Sequence, residues 1–176
     1  MGSDVTNSKP RLAVVGSGGI VGFHVSAARH AGFEVSHVAA RPGSGTAQRF
    51  AEEQEVPKWW DDPMDLIAAS GEWDAILLAT QTDRMPDLLR AACAVGKPIL
   101  VEKPVARHSS LLAEFDEFAD QIIVGYNRRY YASVDYLRQF VERGGPVTVQ
   151  CQLPDSIGAD GPIEDRRSEE HTSELQ

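Results

Sequence analysis

Four short stretches of this 176-residue chain combine residue types and spacing that can do chemistry. The first is Gly16-Ser17-Gly18-Gly19-Ile20-Val21, set between an apolar run and an amphipathic one. In that setting Gly16 permits a tight turn and Gly18 lets the backbone close on a pyrophosphate. The N–H groups that open the following helix then face the phosphate charge. The last glycine of a G-x-G-x-x-G pattern falls here on Val21, with Gly22 one residue late. The helix is therefore expected to sit farther out or to turn differently. The second stretch is Val38-Ala39-Ala40-Arg41. An acidic residue about 20 positions beyond the glycines binds a ribose 2′-hydroxyl, and Ala40 supplies none. Arg41, helped by the hydroxyls of Ser44 and Thr46, suits a 2′-phosphate, which favours NADP(H) over NAD(H). The third is Ala79-Thr80-Gln81-Thr82, where ligands of an open parallel sheet bind. The fourth is Glu102-Lys103-Pro104. A lysine there can donate to a substrate hydroxyl or carbonyl, and Glu102 can hold it in place.

The elements that must position these residues alternate in type. Strands are expected over residues 11–15, 34–40, 75–79, 98–101 and 122–126, as apolar runs bounded by turn residues. Helices are expected over residues 20–31, 46–53, 62–70, 83–95, 109–119 and 132–143. Asp62-Pro63 reads as an N-cap followed by proline at the first helical position. Asp83 reads as the cap of the helix that Gly96 ends, and Ser109 or Ser110 as the cap of the next. Strand–helix alternation implies right-handed crossovers and a doubly wound parallel α/β sheet of Rossmann type, over residues 10–126. An alternating half-polar strand over residues 147–152 is expected to open an α+β domain over residues 127–166, truncated soon after it begins.

Composition narrows the classes. Hydrophobic residues make up 42% of the chain and charged residues 24%, which permits a buried core. A net charge of −9 argues against nucleic acid as a partner, because phosphates call for a basic face. The longest apolar runs are strand-sized, far short of the roughly 20 residues of a membrane helix, so no membrane association is expected. Residues 1–9 read as a polar, disordered leader without a signal-peptide core. Cys93 and Cys151 alone set no disulfide framework, and a cytoplasmic protein is expected. His24, His30 and His37 lack the spacing of a ligand set, so no metal is expected. Trp59-Trp60 suit packing at a sheet edge better than stacking on a cofactor. Residues 167–176 match the conceptual translation of a sequencing adapter and are set outside the fold. The natural protein is expected to be longer.

Val101-Glu102-Lys103-Pro104-Val105 together with Val124-Gly125-Tyr126-Asn127-Arg128-Arg129 resembles the Gfo/Idh/MocA family of oxidoreductases. The glycine loop with His24, and Ala79-Thr80, fit the same resemblance, which runs over residues 11–152. It implies a two-domain enzyme whose N-terminal Rossmann domain binds NAD(P). The C-terminal domain would build the substrate pocket and a homo-oligomer interface. It makes Lys103 the catalytic lysine beside nicotinamide and substrate, Glu102 its neighbouring contact, and Asn127-Arg128 part of the same side of the site. The implied cofactor contacts are Gly16, Ser17, Gly18, Gly19, Ile20, Val21, Arg41, Ser44, Thr80, Gln81, Glu102, Lys103 and Arg128. Gln81, Thr82 and Met85 depart from the family's proline, asparagine and histidine. The acid–base pair that the family draws from its C-terminal domain, an aspartate and a histidine, is absent from this chain.

The function expected on these grounds is hydride transfer between NADP(H), or NAD(H), and a small-molecule substrate: a sugar, cyclitol or related hydroxy or keto compound. The fragment is expected to be inactive alone. The alternative is a non-catalytic dinucleotide-binding module or redox sensor, for which Gln81, Thr82 and Met85 leave room. A methyltransferase using S-adenosylmethionine shares a glycine-rich first loop, yet it wants an acid where Ala40 stands and does not explain Glu102-Lys103-Pro104.

Overall fold

The computed structural model describes residues 8–144 and Thr148. They fall into two compact units, one ending at Tyr126 and one beginning at Asn127.

The first unit is a six-stranded, wholly parallel sheet. Its strands are β1 (Arg11–Val15), β2 (Glu34–Ala39), β3 (Lys58–Trp60), β4 (Ala75–Leu78), β5 (Ile99–Val101) and β6 (Ile122–Val124), in the order β3-β2-β1-β4-β5-β6. That is the Rossmann order, with its topological switch point between β1 and β4. Helices α1 (Gly19–His30), α2 (Thr46–Glu53), α3 (Pro63–Ala68) and α4 (Met85–Val95) make the crossovers.

Side chains alternate across each strand, so a sheet covered on both faces needs apolar residues at successive positions. Leu12, Val14, Leu77 and Ala79 point into a core roofed by Val21 and Val25 of α1 and by Phe50 and Ala51 of α2. Ala13, Val15, Ile76 and Leu78 point the other way, against Leu66 and Ile67 of α3 and Leu88, Leu89 and Ala92 of α4. The expected fold class holds. Its boundaries hold to within a residue or two for β1, β2, α1, α2 and β4.

Three local expectations are corrected. Asp83 does not cap α4. The helix starts at Met85, and the Asp83 carboxylate instead accepts from the Arg107 guanidinium, both Nε and Nη2. Neither Ser109 nor Ser110 caps an α-helix. The segment forms two 3₁₀ turns, Ser109–Leu111 and Ala113–Phe118. Phe115 is buried and Phe118 packs beside it against the core, an i, i+3 pair that eclipses in a three-residue period. Finally, Lys58–Trp60 is a strand that the sequence reading passed over. It is the outermost strand beside β2, so Trp59-Trp60 do lie at a sheet edge.

The second unit contains a 3₁₀ turn, Asn127–Tyr130, and α5 (Ala132–Glu142). The strand expected over residues 147–152 lies outside the described residues, apart from Thr148. Among the described residues no helix is long and apolar enough to cross a membrane.

Candidate functional site

Strand register lines the chemical residues up along the carboxyl edge of the sheet. Val15 sits opposite Ala39 and Leu78, Leu78 opposite Val101, Val101 opposite Val124, and Ala39 opposite Trp60. The residues that follow these ends therefore stand in a row: Asp61, Ala40-Arg41, Gly16, Ala79-Thr80, Glu102-Lys103 and Gly125. With strands about 4.8 Å apart, the ends of β1 and β5 stand about 10 Å from one another across the switch point.

Gly16 is required by the fold itself. Its φ is +125°, and a Cβ there would come within 2.0 Å of the Ala79 carbonyl oxygen. Its N–H donates to Ala39 O at 2.8 Å, so the turn is pinned between β2 and β4. Gly18 and Gly19 face open space, since a Cβ at either would meet nothing within 4 Å. Gly18 caps α1 without a side-chain hydrogen bond, and no acidic residue stands in the first turn. An uncapped twelve-residue helix opening on this edge suits an anion. Ser17 is half-buried, and Ile20 is exposed beside the turn.

Val21 is turned away from this rim. It is fully buried in the α1–α2 core, and its N–H donates to Gly18 O at 3.0 Å. Its Cγ2 would touch a Gly16 Cβ at 3.5 Å, so valine fills the helix–sheet contact that a third glycine would leave close. Gly22 carries no such demand, for a Cβ there would come no nearer than 4.0 Å to Gln54.

Arg41 is exposed directly after β2. The loop that follows is held by its own donors. Ser44 Oγ donates to Arg41 O at 2.6 Å and lies 2.8 Å from Thr46 Oγ1. Asp61, next to β3, accepts from Gly43 N–H at 3.0 and 3.2 Å. This carboxylate two strands from Gly16 was not read from the sequence, where only the neighbouring Asp62-Pro63 stood out, as a helix start.

Thr80 is half-buried and Gln81 exposed, in the turn that leads to α4. Met85, one of the departures from the family pattern, is buried in the core at the start of α4.

Glu102 collects contacts from three elements. His24 Nε2 lies 2.6 Å from its Oε1, and both side chains are largely buried. Lys103 N–H donates to its Oε2 at 3.2 Å. Gly125 approaches so closely that a Cβ would lie 2.9 Å from Oε1. A carboxylate only accepts, so Nε2 carries the hydrogen of the His24 bond. Lys103 is exposed, and the Lys103–Pro104 peptide is cis. Sequence reasoning placed His24 in the pattern but missed its partner, 78 positions away. Arg128 is exposed on the 3₁₀ turn of the second unit.

A concavity of about 340 Å³ lies alongside the edge strand, lined by Pro57, Lys58, Trp59, Trp60 and Glu72. Lys58 and Glu72 on its wall form an ion pair. We assign no chemistry to it, because ligands of open α/β sheets bind at the carboxyl edge. Among the described residues no group of three or more His, Cys, Asp or Glu could hold a metal ion.

Comparison with known proteins bears on this edge. Residues 10–126 match an oxidoreductase family with an NAD-binding Rossmann fold, Gfo/Idh/MocA, and the chain belongs to that family. The rhizopine catabolism protein MocA of Rhizobium meliloti is 31% identical over 140 residues, which cover 76% of this chain and 43% of MocA. An inositol 2-dehydrogenase of Corynebacterium glutamicum is 32% identical over 141 residues, 76% of this chain and 41% of that protein. The scyllo-inositol dehydrogenase of Lactobacillus casei, solved with NAD(H) and scyllo-inositol, superposes with a TM-score of 0.67 at 17% identity. The match covers 78% of this chain and 42% of that one. The WlbA dehydrogenase of Bordetella pertussis, solved with NADH and UDP-GlcNAcA, also gives 0.67, at 21% identity over 78% of this chain and 43% of its own. At such identities the likeness speaks to the fold alone. This chain spans about two fifths of the length of these relatives.

Proposed function

We propose that the whole protein transfers hydride between a nicotinamide dinucleotide and a cyclitol or sugar, with this chain supplying the coenzyme platform and the lysine. The observation that carries the reading is the single row on the carboxyl edge. It sets an uncapped helix N-terminus after Gly16-Ser17-Gly18 two strands from Glu102-Lys103. The amides of Gly18 and Gly19 hold the pyrophosphate, and Ser17 and Ile20 flank it. Thr80 and Gln81 line the stretch between the phosphates and Lys103. The nicotinamide ring, when bound, accepts or delivers the hydride. Lys103 donates a hydrogen bond to the substrate oxygen, which stabilises the alkoxide-like character that develops there. Relatives named as inositol dehydrogenases support a cyclitol. The working form proposed is a cytoplasmic homo-oligomer.

For the coenzyme, the proposal favours NADP(H). Its support is Arg41, exposed beside Ala40, where an acid would have selected the 2′-hydroxyl. Arg41→Ala should then weaken NADPH by about tenfold or more and leave NADH within about twofold, the loss expected of one charge-assisted contact. Equal effects on both would assign the protein to NAD(H).

Lys103→Met tests the chemistry in the full-length protein. Turnover of a responsive inositol or keto-sugar should fall by about 100-fold or more, the scale of one acid–base or electrostatic group. The coenzyme Kd should stay within about threefold, since uniform binding is not what Lys103 supplies. Unaltered turnover would take Lys103 out of the mechanism.

A further inference from the structure

Glu102 has a second partner that the reaction does not explain. The carboxylate lies between α1, which opens at the glycine turn, and the ends of β5 and β6. His24 comes from the second turn of α1, on the side that also carries the buried Val21 and Val25. Its Nε2–H donates to Oε1 at 2.6 Å, while the other oxygen accepts from the Lys103 amide. Gly125 packs against the same carboxylate, and a Cβ there would lie 2.9 Å from Oε1. Both acceptor atoms are thus used, one by the helix that faces the phosphates and the other by the residue that bears the reactive amine. A hydrogen bond this short between largely buried groups fixes the carboxylate better than an exposed ion pair would.

We propose that His24 is a positioning residue: through the Glu102 carboxylate it locks the Lys103 end of β5 to the helix that receives the pyrophosphate. The inference rests on the dinucleotide reading given above. The two halves of the coenzyme are then held in one register. The adenosine and phosphate half sees only β1, α1 and β2, whereas the nicotinamide half also needs the Glu102-Lys103 end in place. His24 touches neither the phosphates nor the substrate and acts through Glu102.

The test compares two ligands on the 176-residue chain by calorimetry: NADH, and ADP-ribose, which carries both phosphates but lacks nicotinamide. In His24→Leu, ADP-ribose should bind within about twofold of the parent. NADH should weaken by about tenfold, the factor carried by one hydrogen bond to a charged group. His24→Gln, which can still donate to the carboxylate, should recover NADH to within about threefold. Should His24→Leu fail to fold, His24→Phe takes its place. Phenylalanine keeps the ring and cannot donate to the carboxylate, so the same selective loss of NADH is expected. Equal loss of both ligands, or no loss of either, would overturn the positioning role. Failure of the unaltered chain to bind NADH, NADPH or ADP-ribose would overturn the dinucleotide reading on which it stands.

Discussion

The two glycines of the turn do different work, although the sequence pattern treats them alike. Gly16 is demanded by the protein: its φ of +125° and the Ala79 carbonyl oxygen 2.0 Å from a would-be Cβ exclude any side chain. Gly18 has an ordinary extended backbone and empty space where a Cβ would point. Gly16→Ala should therefore destabilise the fold by about 2 kcal/mol or more, from overpacking plus left-handed strain. Gly18→Ala should leave the melting temperature nearly unchanged and act on coenzyme affinity alone. Thermal unfolding of the two variants side by side checks this. A Gly16→Ala protein as stable as the parent would refute the close approach. Val21 illustrates the same distinction: it occupies the position of the motif's last glycine but is a core residue, in van der Waals reach of the turn.

Among the elements, α3 shows how local chemistry fixes a boundary. The Asp62 side chain accepts from Met64 N–H at 2.8 Å, and Pro63 follows at a position where no donor is lost. Asp62→Ala should cost about 1 kcal/mol of stability, measured by chemical denaturation; no change would mean that the cap contributes nothing. Asp83 looked like the same device and is not. Arg107, 24 residues on, takes its carboxylate, and α4 starts at Met85 without a side-chain cap. Both precede a proline in the first turn of a helix, Pro63 directly after Asp62 and Pro86 three residues after Asp83. What separates them is a competing cation delivered by a distant loop.

On the scale of the molecule, the end of the sheet opposite the glycine turn carries a network that responds to acid. His37 is buried on β2, between Ser36 Oγ at 2.8 Å and Glu72 Oε2 at 3.1 Å. Burial lowers its pKa against the opposing pull of Glu72. Arg11 holds Asp74 by hydrogen bonds from its guanidinium and its backbone, which pull the Asp74 carboxyl down to about 2. The sign is the same for both. A histidine whose folded pKa is depressed binds its proton more readily when unfolded, so its contribution is complete above about pH 6.5 and declines as pH falls through that value. The Asp74 contribution is complete above its ordinary range near 4 and is lost as pH falls towards 2. Melting temperature should thus decline in two stages on acidification. His37→Gln should flatten the first and Asp74→Asn the second. An unchanged first stage in the His37 variant would assign it to other groups.

The chain's own order of residues was enough to specify the doubly wound class, the glycine turn, the cap at Asp62 and the row of strand ends. Each of these depends on neighbours within a turn or on an apolar run long enough to be buried from both faces. Beyond the reach of pattern lay the edge strand at Lys58–Trp60, the Asp61 carboxylate on Gly43, the Arg107–Asp83 pair and the His24–Glu102 bond. These join residues as much as 78 positions apart, and no periodicity records which surfaces two elements will present once packed. Only stacking the crossovers on the sheet brings such groups within hydrogen-bonding distance, and it is that packing which sets His24 of α1 against the carboxylate at the end of β5.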